Sequence, residues 1–254
     1  MLANYHTHTP RCGHATGTER EYIERAIEKG FKVLGFSDHT PQPYPEDFHS
    51  GMRMGMDEIE NYTGTLSALK EEYKDDIRIL IGYEVEYTHR FFDTLLKELQ
   101  KYTLDYLIMG QHMVPDEIDG FYTGSPTDEE ERLKAYVDLV TEGMETGNFL
   151  YVAHPDIINF TGSDEIYEKH MSRLIETSNK LGMPIEINLL GFREKRHYPC
   201  DKFFSLASRM GAKFILGCDA HNPKFIENPE DIEGLDDFVK LHNITLIKDN
   251  LLDI

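Results

Sequence analysis

The chain opens with Tyr5-His6-Thr7-His8-Thr9-Pro10, and Cys12-Gly13-His14 follows directly. Three imidazoles therefore fall within the first fifteen residues, ahead of any segment long enough to form a domain of its own. His6 and His8 are two residues apart, so in an extended strand their side chains point to the same side. This stretch predicts a first strand that ends in part of a metal site. The fold must then bring further ligands back to this point.

Downstream, apolar runs that fit buried strands alternate with segments of helical periodicity. The predicted strands are 32–37, 77–81, 106–109, 149–153, 184–188 and 213–217, with a short final strand at 245–247. The predicted helices are 18–29, 57–73, 92–102, 127–147, 164–181, 203–210 and 235–241. Thr18 and Glu21 have capping-box spacing, Thr127 is the expected cap of the fourth helix, and Gly182 is the expected stop of the fifth.

The alternation gives seven strand-then-helix units without a linker, which predicts a single α/β domain over residues 1–254 with parallel strands and helical crossovers. A closed, TIM-like (β/α)7 barrel is favoured over an open sheet. Polar residues follow nearly every strand, and a ring brings all of those strand ends together. An open doubly wound sheet collects ligands chiefly at one switch point.

Potential metal ligands follow six of the strands: His6 and His8, Asp38 and His39, Glu84, His112, His154, and Asp219 with His221. A lone His-x-His or Asp-His pair is weak evidence. Six strand ends that all carry such residues, where a parallel barrel has its active site, predict a metal centre. Asp38 and His39 are neighbours, so both are ligands only if the chain leaves the strand there; otherwise Asp38 orients an imidazole.

The composition argues against several classes of protein. With 26 basic and 46 acidic residues, the formal charge of -20 would repel a nucleic-acid backbone, whereas a small anion held by metal ions remains compatible. No run approaches the ~20 apolar residues of a membrane span. The three cysteines have no paired spacing and predict no disulfide framework, and histidines at positions 6 and 8 leave no room for a signal peptide. We therefore expect a cytoplasmic protein.

The ordered motifs resemble those of the polymerase and histidinol phosphatase (PHP) family: His6-x-His8, His14, Ser37-Asp38-His39, Gly82-x-Glu84, His112, His154-Pro155-Asp156 and Cys218-Asp219-Ala220-His221. The resemblance covers nearly the whole chain. It implies a PHP-type domain with a distorted seven-stranded barrel and two or three divalent metals, for which zinc, iron or manganese suits the mixed ligands. Cys218 and Gln111 depart from the usual family residues, but neither removes a ligand.

The resemblance also implies which residues hold each metal. One metal would be bound by His6, His8, Glu84 and Asp219; a second by Glu84 as a bridge with His112 and His154; and a third by His14, His39 and His221. His14 should therefore lie beside His39 and His221, away from the first metal.

Three further motifs resemble the branch of stand-alone histidinol-phosphate phosphatases: Glu186-Ile187-Asn188, Gly191-Phe192-Arg193 and Tyr198-Pro199. This implies hydrolysis of L-histidinol phosphate to L-histidinol and phosphate, a step of histidine biosynthesis. We expect a hydroxide that bridges two metals to attack phosphorus in line. The expected catalytic residues are Asp219, His221 and Glu84. The candidates for substrate binding are Arg193 as a phosphate clamp, then Arg53, His49 and His197, with Asp116, Glu117 and Asp119 for the rest of the substrate.

Three alternatives stay open. The chain could hydrolyse another small phosphomonoester or a nucleotide within the same family. It could be an amidohydrolase, which also opens with His-x-His, but such enzymes typically carry a carboxylated lysine where this chain has Gln111-His112. It could also be a non-catalytic PHP scaffold, for which degenerate ligands would be expected, and here none is missing. The sequence predicts no oligomeric state.

Overall fold

A computed structural model describes residues 2–247 and 251–252; the other six positions of the predicted domain, 1, 248–250, 253 and 254, lie outside the described residues. The fold is α/β. Its strands are β1 (Ala3–Asn4), β2 (Val33–His39), β3 (Arg78–Val85), β4 (Tyr106–Met109), β5 (Met113–Val114), β6 (Phe121–Tyr122), β7 (Ile185–Asn188) and β8 (Phe214–Gly217). Strands β1 to β4 form one parallel sheet in sequence order, and β7 pairs with β8 in parallel. The parallel pairing expected from the alternation is confirmed.

Isolated parallel bridges extend this pairing beyond the named strands. Val152 pairs with Met109 of β4 and with Ile185 of β7, and Thr7 pairs with Ala220, which joins the segment after β8 to the segment after β1. The strand predicted at 149–153 is thus reduced to one paired residue. The backbone of His154 takes a φ of 28°, which is incompatible with a continuing strand. At 245–247 only Leu246 pairs, with Phe214.

The helices are α1 (Glu19–Glu28), α2 (Ile59–Glu72), α3 (Phe92–Leu99), α4 (Glu130–Glu145), α5 (Asp164–Leu181), α6 (Leu189–Arg193), α7 (Asp201–Arg209) and α8 (Leu235–Leu241). The capping box at the start of α1 and the left-handed Gly182 at the end of α5 are as predicted. The prediction for α4 was wrong, because Glu129 and not Thr127 is its N-cap. The amide of Thr127 instead donates to Asn159 O in a bridge between two loops.

Two short elements were not predicted. No strand or helix was predicted between residues 109 and 127, but β5 and β6 form an antiparallel hairpin there, in which Met113 pairs with Tyr122. Helix α6 has five residues, too few for a helical period to be visible in the sequence. It begins where the Asn188 side chain accepts a hydrogen bond from the amide of Gly191.

The central strands are buried on both faces, as expected of parallel strands covered by helices. In β3, Ile79 and Ile81 belong to the large cluster that packs against the helices, whereas Leu80 belongs to a smaller cluster on the opposite face. Residues 80, 82, 84 and 86 therefore share the inner face, which is where Glu84 lies. Among the residues that the structure describes, no helix has the length and apolar character needed to span a bilayer.

Candidate metal centre

Four buried side chains converge from the ends of three strands. His6 and His8 follow β1, Glu84 lies near the end of β3, and Asp219 follows β8. Asp219 Oδ1 lies 3.5 Å from His6 Nε2 and 3.1 Å from His8 Nε2, and Glu84 Oε2 lies 3.7 Å from each of the same two nitrogens. All four residues are at most 4% exposed. One imidazole or carboxylate atom from each thus faces a common point.

These four atoms fit a divalent metal. None of them makes a hydrogen bond within the described part of the chain, although all are buried. Unpaired buried polar atoms are costly, so a cluster of them indicates a missing partner. Their spacing of 3.1–3.7 Å is close to the edge, about 3.3–3.6 Å, of a tetrahedron with metal–ligand bonds of about 2.0–2.2 Å. His6, His8, Glu84 and Asp219 could therefore hold one ion.

The carboxylate of Glu84 faces two sets of imidazoles with its two oxygens. Oε2 faces His6 and His8 and lies 2.9 Å from His39 Nδ1. Oε1 lies 2.7 Å from His154 Nε2 and 3.6 Å from His112 Nε2. A carboxylate whose two oxygens face separate sets of imidazoles has the geometry expected of a bridge between two cations.

A third group lies at the outer side of the first. A ligand atom from each of His14, His39 and His221 falls within 4.8 Å of the others, and the Nε2 atoms of His14 and His221 are 3.1 Å apart. The structure thus brings together the three histidines that were expected to be neighbours. Cys12, which is buried, also lies within 4.8 Å of His8 and His221.

The backbone is unusual at three positions around the candidate ligands. A Cβ atom at Gly110, directly after β4, would lie 1.8 Å from Glu84 Oε1, so only glycine is compatible with this carboxylate position. His154 and Asp219 have φ values of 28° and 47°, a left-handed conformation that costs energy in residues with a side chain. Strain of this kind at two candidate ligands is typical of a functional site.

Electrostatics divide the histidines into two classes. Although burial alone would lower it, the carboxylates of Glu186, Asp219 and Glu84 raise the pKa of His6 to about 10. The pKa of His8 is likewise raised well above its usual value, because the nearby carboxylates of Asp219 and Asp38 outweigh burial. Without a metal, these imidazoles hold protons that balance the nearby carboxylates. A metal ion must displace those protons in order to bind.

The outer histidines behave in the opposite way. Burial, together with the charge of His8, holds the pKa of His39 well below its usual value, and the same two causes lower the pKa of His221. Burial and the neighbouring His221 lower the pKa of His14. Neutral imidazoles are the form that binds metal, so this group needs no deprotonation.

Two further carboxylates lie behind the candidate ligands. Asp38 accepts hydrogen bonds from both the amide and the hydroxyl of Thr9, and its Oδ1 lies 3.5 Å from His8 Nδ1. Glu86 Oε1 accepts from the amide of His112 and lies 3.2 Å from His112 Nδ1. Glu86 was not singled out in the sequence. Its position two residues after Glu84, just past the end of β3, was the available signal, because an extended chain would turn both side chains to the same side.

The candidate ligands open into a cavity of about 500 Å³. Its metal side is formed by His14, His39, His112, Asp219 and His221. The remaining wall is mixed apolar, aromatic and charged, and consists of Gly51, Met52, Tyr122, Ile157, Leu190, Glu194, Arg196, Tyr198 and Phe225. A cavity of this size, with polar groups on one side, can hold a small metabolite.

The substrate-binding candidates from the sequence do not line this cavity. Arg193 pairs with Glu227 at 3.1 Å and stacks over Phe225, one layer behind the wall. His197 contacts the carbonyl of Ile157 through Nε2 at 2.7 Å, and His49 is exposed and is not among the residues that line the cavity. In place of Arg193, Arg196 of the same loop lies on the wall.

Arg53 and the acidic loop candidates also differ from the expectation. Arg53 is 6% exposed and lies between Glu86, at 3.2 Å, and Glu117, at 2.8 Å. Its positive charge is therefore paired with two carboxylates of the protein. Asp116 accepts hydrogen bonds from two amides of its own turn, and Asp119 is exposed and pairs with Arg90. Sequence order could not reveal the partners of Arg53 and Asp119, because these come from other segments of the chain.

Comparisons with known proteins agree with this geometry. A model of the family described as PHP domain matches residues 4–189. The chain is 30% identical over 236 residues to a Deinococcus radiodurans protein named "Probable histidinol-phosphatase", with 87% of each chain covered. It is 26% identical over 237 residues to the histidinol-phosphatase of Lactococcus lactis, covering 87% of this chain and 84% of that protein.

A solved structure supports the same fold. The histidinol phosphate phosphatase of Lactococcus lactis, solved in complex with zinc, L-histidinol and phosphate, superposes with a TM-score of 0.73 at 19% identity, covering 97% of this chain and 95% of that chain. At this level of identity the likeness concerns the fold.

Proposed function

Because the chain belongs to the PHP domain family, we propose that it is a metal-dependent phosphomonoesterase that hydrolyses L-histidinol phosphate to L-histidinol and phosphate. The observation that carries this proposal is the carboxylate of Glu84, whose two oxygens face separate sets of histidines at the end of a cavity of about 500 Å³. The names of the relatives from Deinococcus and Lactococcus supply the substrate. Histidine biosynthesis is the corresponding pathway.

We assign the metal ligands as three sets. His6, His8, Glu84 and Asp219 would hold one ion, Glu84 with His112 and His154 a second, and His14, His39 and His221 a third. The zinc in the Lactococcus structure supports zinc here, with iron or manganese as alternatives for the same donors, and two or three ions per chain. Asp38 would orient His8 from behind.

Bound divalent ions would neutralise phosphate charge and lower the pKa of a water molecule enough for it to act as a nucleophile at neutral pH. Asp219 and His221 are the proposed proton-transfer residues, because both line the cavity and His221 Nδ1 lies 3.3 Å from Asp219 Oδ1. Arg196 lies on the cavity wall and Arg193 does not, so Arg196 is the better placed of the two guanidinium groups for phosphate. Phosphate would compete there with Glu194, at 2.7 Å from Arg196 Nη2, and with the Tyr198 hydroxyl, at 2.8 Å from Nη1.

The proposal extends to the architecture. The bridges at Val152 and Thr7 support a parallel ladder that closes as a distorted seven-stranded, TIM-like (β/α)7 barrel. One PHP-type domain over residues 1–254 and a cytoplasmic location remain part of the proposal, the latter because of the odd number of cysteines and the three free thiols.

The test is a phosphate-release assay on purified protein whose metal content is measured on the same sample. We expect L-histidinol phosphate to be hydrolysed in preference to nucleoside monophosphates and sugar phosphates. A chelator should abolish this activity, and added zinc or manganese should restore it. Metal-replete protein that releases no phosphate from L-histidinol phosphate would overturn the substrate assignment, and hydrolysis of another member of the panel would point to the alternative family activity.

A further inference from the structure

One fully buried carboxylate that is not an assigned ligand, Glu186 in β7, contacts the metal centre from behind. Its side chain is 0% exposed. Glu186 Oε1 lies 2.8 Å from His6 Nδ1 and accepts a hydrogen bond from the hydroxyl of Tyr151 at 3.3 Å. Oε2 accepts from the amide of His154 at 3.0 Å and from Asn188 Nδ2 at 2.9 Å. Each oxygen thus faces two donor groups.

We infer that Glu186 is a positioning residue of the metal centre: it holds the proton of His6 on Nδ1 and so leaves Nε2 free to bind a metal. An imidazole hydrogen-bonded through Nδ1–H to a carboxylate binds metal through its other nitrogen, in a fixed ring orientation. His6 Nε2 makes no hydrogen bond and lies 3.5 Å from Asp219 Oδ1. The contact with Glu186 therefore selects the tautomer and aims the ring.

The same carboxylate fixes a second candidate ligand through the backbone. His154 has a φ of 28°, a conformation that persists only where the surroundings hold it. The hydrogen bond from the His154 amide to Glu186 Oε2 supplies such a restraint. Glu186 thus acts on His6 by its side chain and on His154 by its main chain.

Asn188 extends this network to the opposite side of the site. Its Nδ2 group donates to Glu186 Oε2 and also, at 3.0 Å, to Asp219 Oδ2. Its Oδ1 accepts from the amide of Gly191, at the start of the helix that leads to Arg196. The Glu186–Asn188 pair therefore links three candidate ligands to the loop on the cavity wall.

The fold keeps a space for this carboxylate. A Cβ atom at Gly217, the last residue of β8, would lie 1.7 Å from Glu186 Oε1. Glycine is thus required opposite Glu186, just as Gly110 is required opposite Glu84.

The geometry predicts that glutamine cannot replace Glu186 although the two side chains have the same size. Glutamine has one acceptor oxygen and one donor NH2 group, so in one amide orientation its NH2 group faces His6 Nδ1–H and in the other it faces the amide of His154, which can only donate. We expect Glu186→Gln to weaken zinc binding by about 10–100-fold, the range usual for partners of this kind. Glu130→Gln is the matched control, because Glu130 also pairs with a histidine, His170 at 2.8 Å, but lies away from the site.

The inference rests on the proposed metal centre but not on the substrate, so its test uses zinc and nuclear magnetic resonance. In zinc-loaded wild-type protein, 1H–15N spectra of the imidazoles should give a downfield Nδ1 proton for His6, assigned by its loss in His6→Gln, and a zinc-bound Nε2. Equilibrium dialysis with zinc then compares Glu186→Gln with Glu130→Gln. We expect the wild type to show the Nδ1 proton. We expect Glu186→Gln to bind zinc more weakly than the wild type, and Glu130→Gln to bind it as tightly as the wild type.

Two results would overturn the inference. The first is a His6 imidazole that carries its proton on Nε2 in the zinc-loaded wild type. This result needs no variant, so it would overturn the inference even if Glu186→Gln failed to fold. The second is a folded Glu186→Gln variant that binds zinc as tightly as the Glu130→Gln control. Neither result depends on phosphate release, so a failed substrate assignment would leave this test intact.

Discussion

Glu84 lies within 3.7 Å of five histidine rings, those of His6, His8, His39, His112 and His154. A single carboxylate can serve that many neighbours because it has two oxygens and four lone-pair directions. The histidines outweigh burial and hold the pKa of Glu84 well below its usual value, so it is an anion in the folded chain. At the scale of single residues, the site is organised around this charge.

We expect His8→Ala and Glu84→Ala each to reduce turnover of L-histidinol phosphate by more than about 100-fold, beyond the range for residues that only orient ligands. The reason is that each removes a donor atom from the proposed first metal site. Steady-state kinetics with metal analysis is the measurement, and His89→Ala, whose side chain is 64% exposed, is the control. Unchanged turnover in either site variant would refute the metal assignment.

The buried carboxyl group of Asp156 predicts how the stability of the protein depends on pH. It is buried, one oxygen accepts from the amide of Cys200 at 2.6 Å, and burial raises its pKa from 3.8 to about 6. A raised pKa means that the folded state binds the proton more tightly, so this contribution to stability is present below about pH 4 and is lost as pH rises towards 6. Asp156→Asn removes that loss while it keeps an acceptor for Cys200.

Metal-free Asp156→Asn should therefore gain stability over the wild type as the pH is raised from about 5 to about 7.5, by about 1.4 kcal/mol, because about one pKa unit of the shift lies above pH 5. Urea unfolding at the two pH values measures the difference. The exposed Asp47→Asn serves as the control. A stability difference that stays constant over this pH range would contradict the raised pKa.

At the scale of elements, Arg53 joins three segments around the cavity. Its guanidinium donates to Thr40 O after β2, pairs with Glu86 after β3, and pairs with Glu117 in the loop of the β5–β6 hairpin. Glu86 in turn contacts His112. The neighbouring Met52 and the hairpin residue Tyr122 both line the cavity. Arg53 thus ties two parts of the cavity wall to a candidate ligand.

We expect Arg53→Met to lower the free energy of unfolding by about 3–5 kcal/mol, because it leaves the buried carboxylate of Glu86 and the partly buried carboxylate of Glu117 without their cation. Chemical unfolding is the measurement. Arg90→Met is the matched control: Arg90 pairs with Asp119 at the surface, where such pairs contribute about 0–1 kcal/mol. A raised KM with an unchanged unfolding free energy would instead support the substrate-binding role that the sequence suggested for Arg53.

At the scale of the whole molecule, the proposed metal centre couples folding to metal and protons. Candidate ligands from strands far apart in the chain meet at one buried point, and the chain carries a formal charge of -20. Cations held at this point would bind the folded chain in preference to the unfolded one. At about 100 times the Kd, a bound ion stabilises the fold by about 2.7 kcal/mol per site.

Zinc binding to the metal-free protein should release protons, because the pKa of His6 is raised to about 10 and its imidazole is charged at neutral pH. Zinc affinity should accordingly rise with pH below that value. Titration calorimetry in two buffers of different ionisation enthalpy measures the protons released, and His6→Gln should release fewer. Identical binding enthalpies in both buffers would contradict the prediction.

The local signals of the sequence predicted the order of elements well. Helix α5 begins and ends as predicted, because Ser163 and Gly182 cap it within the chain itself. The period-two spacing of His6 and His8 predicted that their side chains point to the same side, and both do face Asp219. Where a neighbour from elsewhere decides, prediction was poorer, as at Thr127, which bonds to Asn159 and not to its own helix.

The sequence by itself determined the alternation of strands and helices, the parallel sheet and the set of candidate ligands, because periodicity, caps and strand ends are properties of adjacent residues. Only the tertiary structure decided which cations and carboxylates pair with each other. Arg53 belongs to Glu86 and Glu117, Arg193 to Glu227, and Glu186 to His6. Burial makes an unpaired charge costly, so each such group takes the partner that the fold places nearest, and that partner comes from a distant part of the chain.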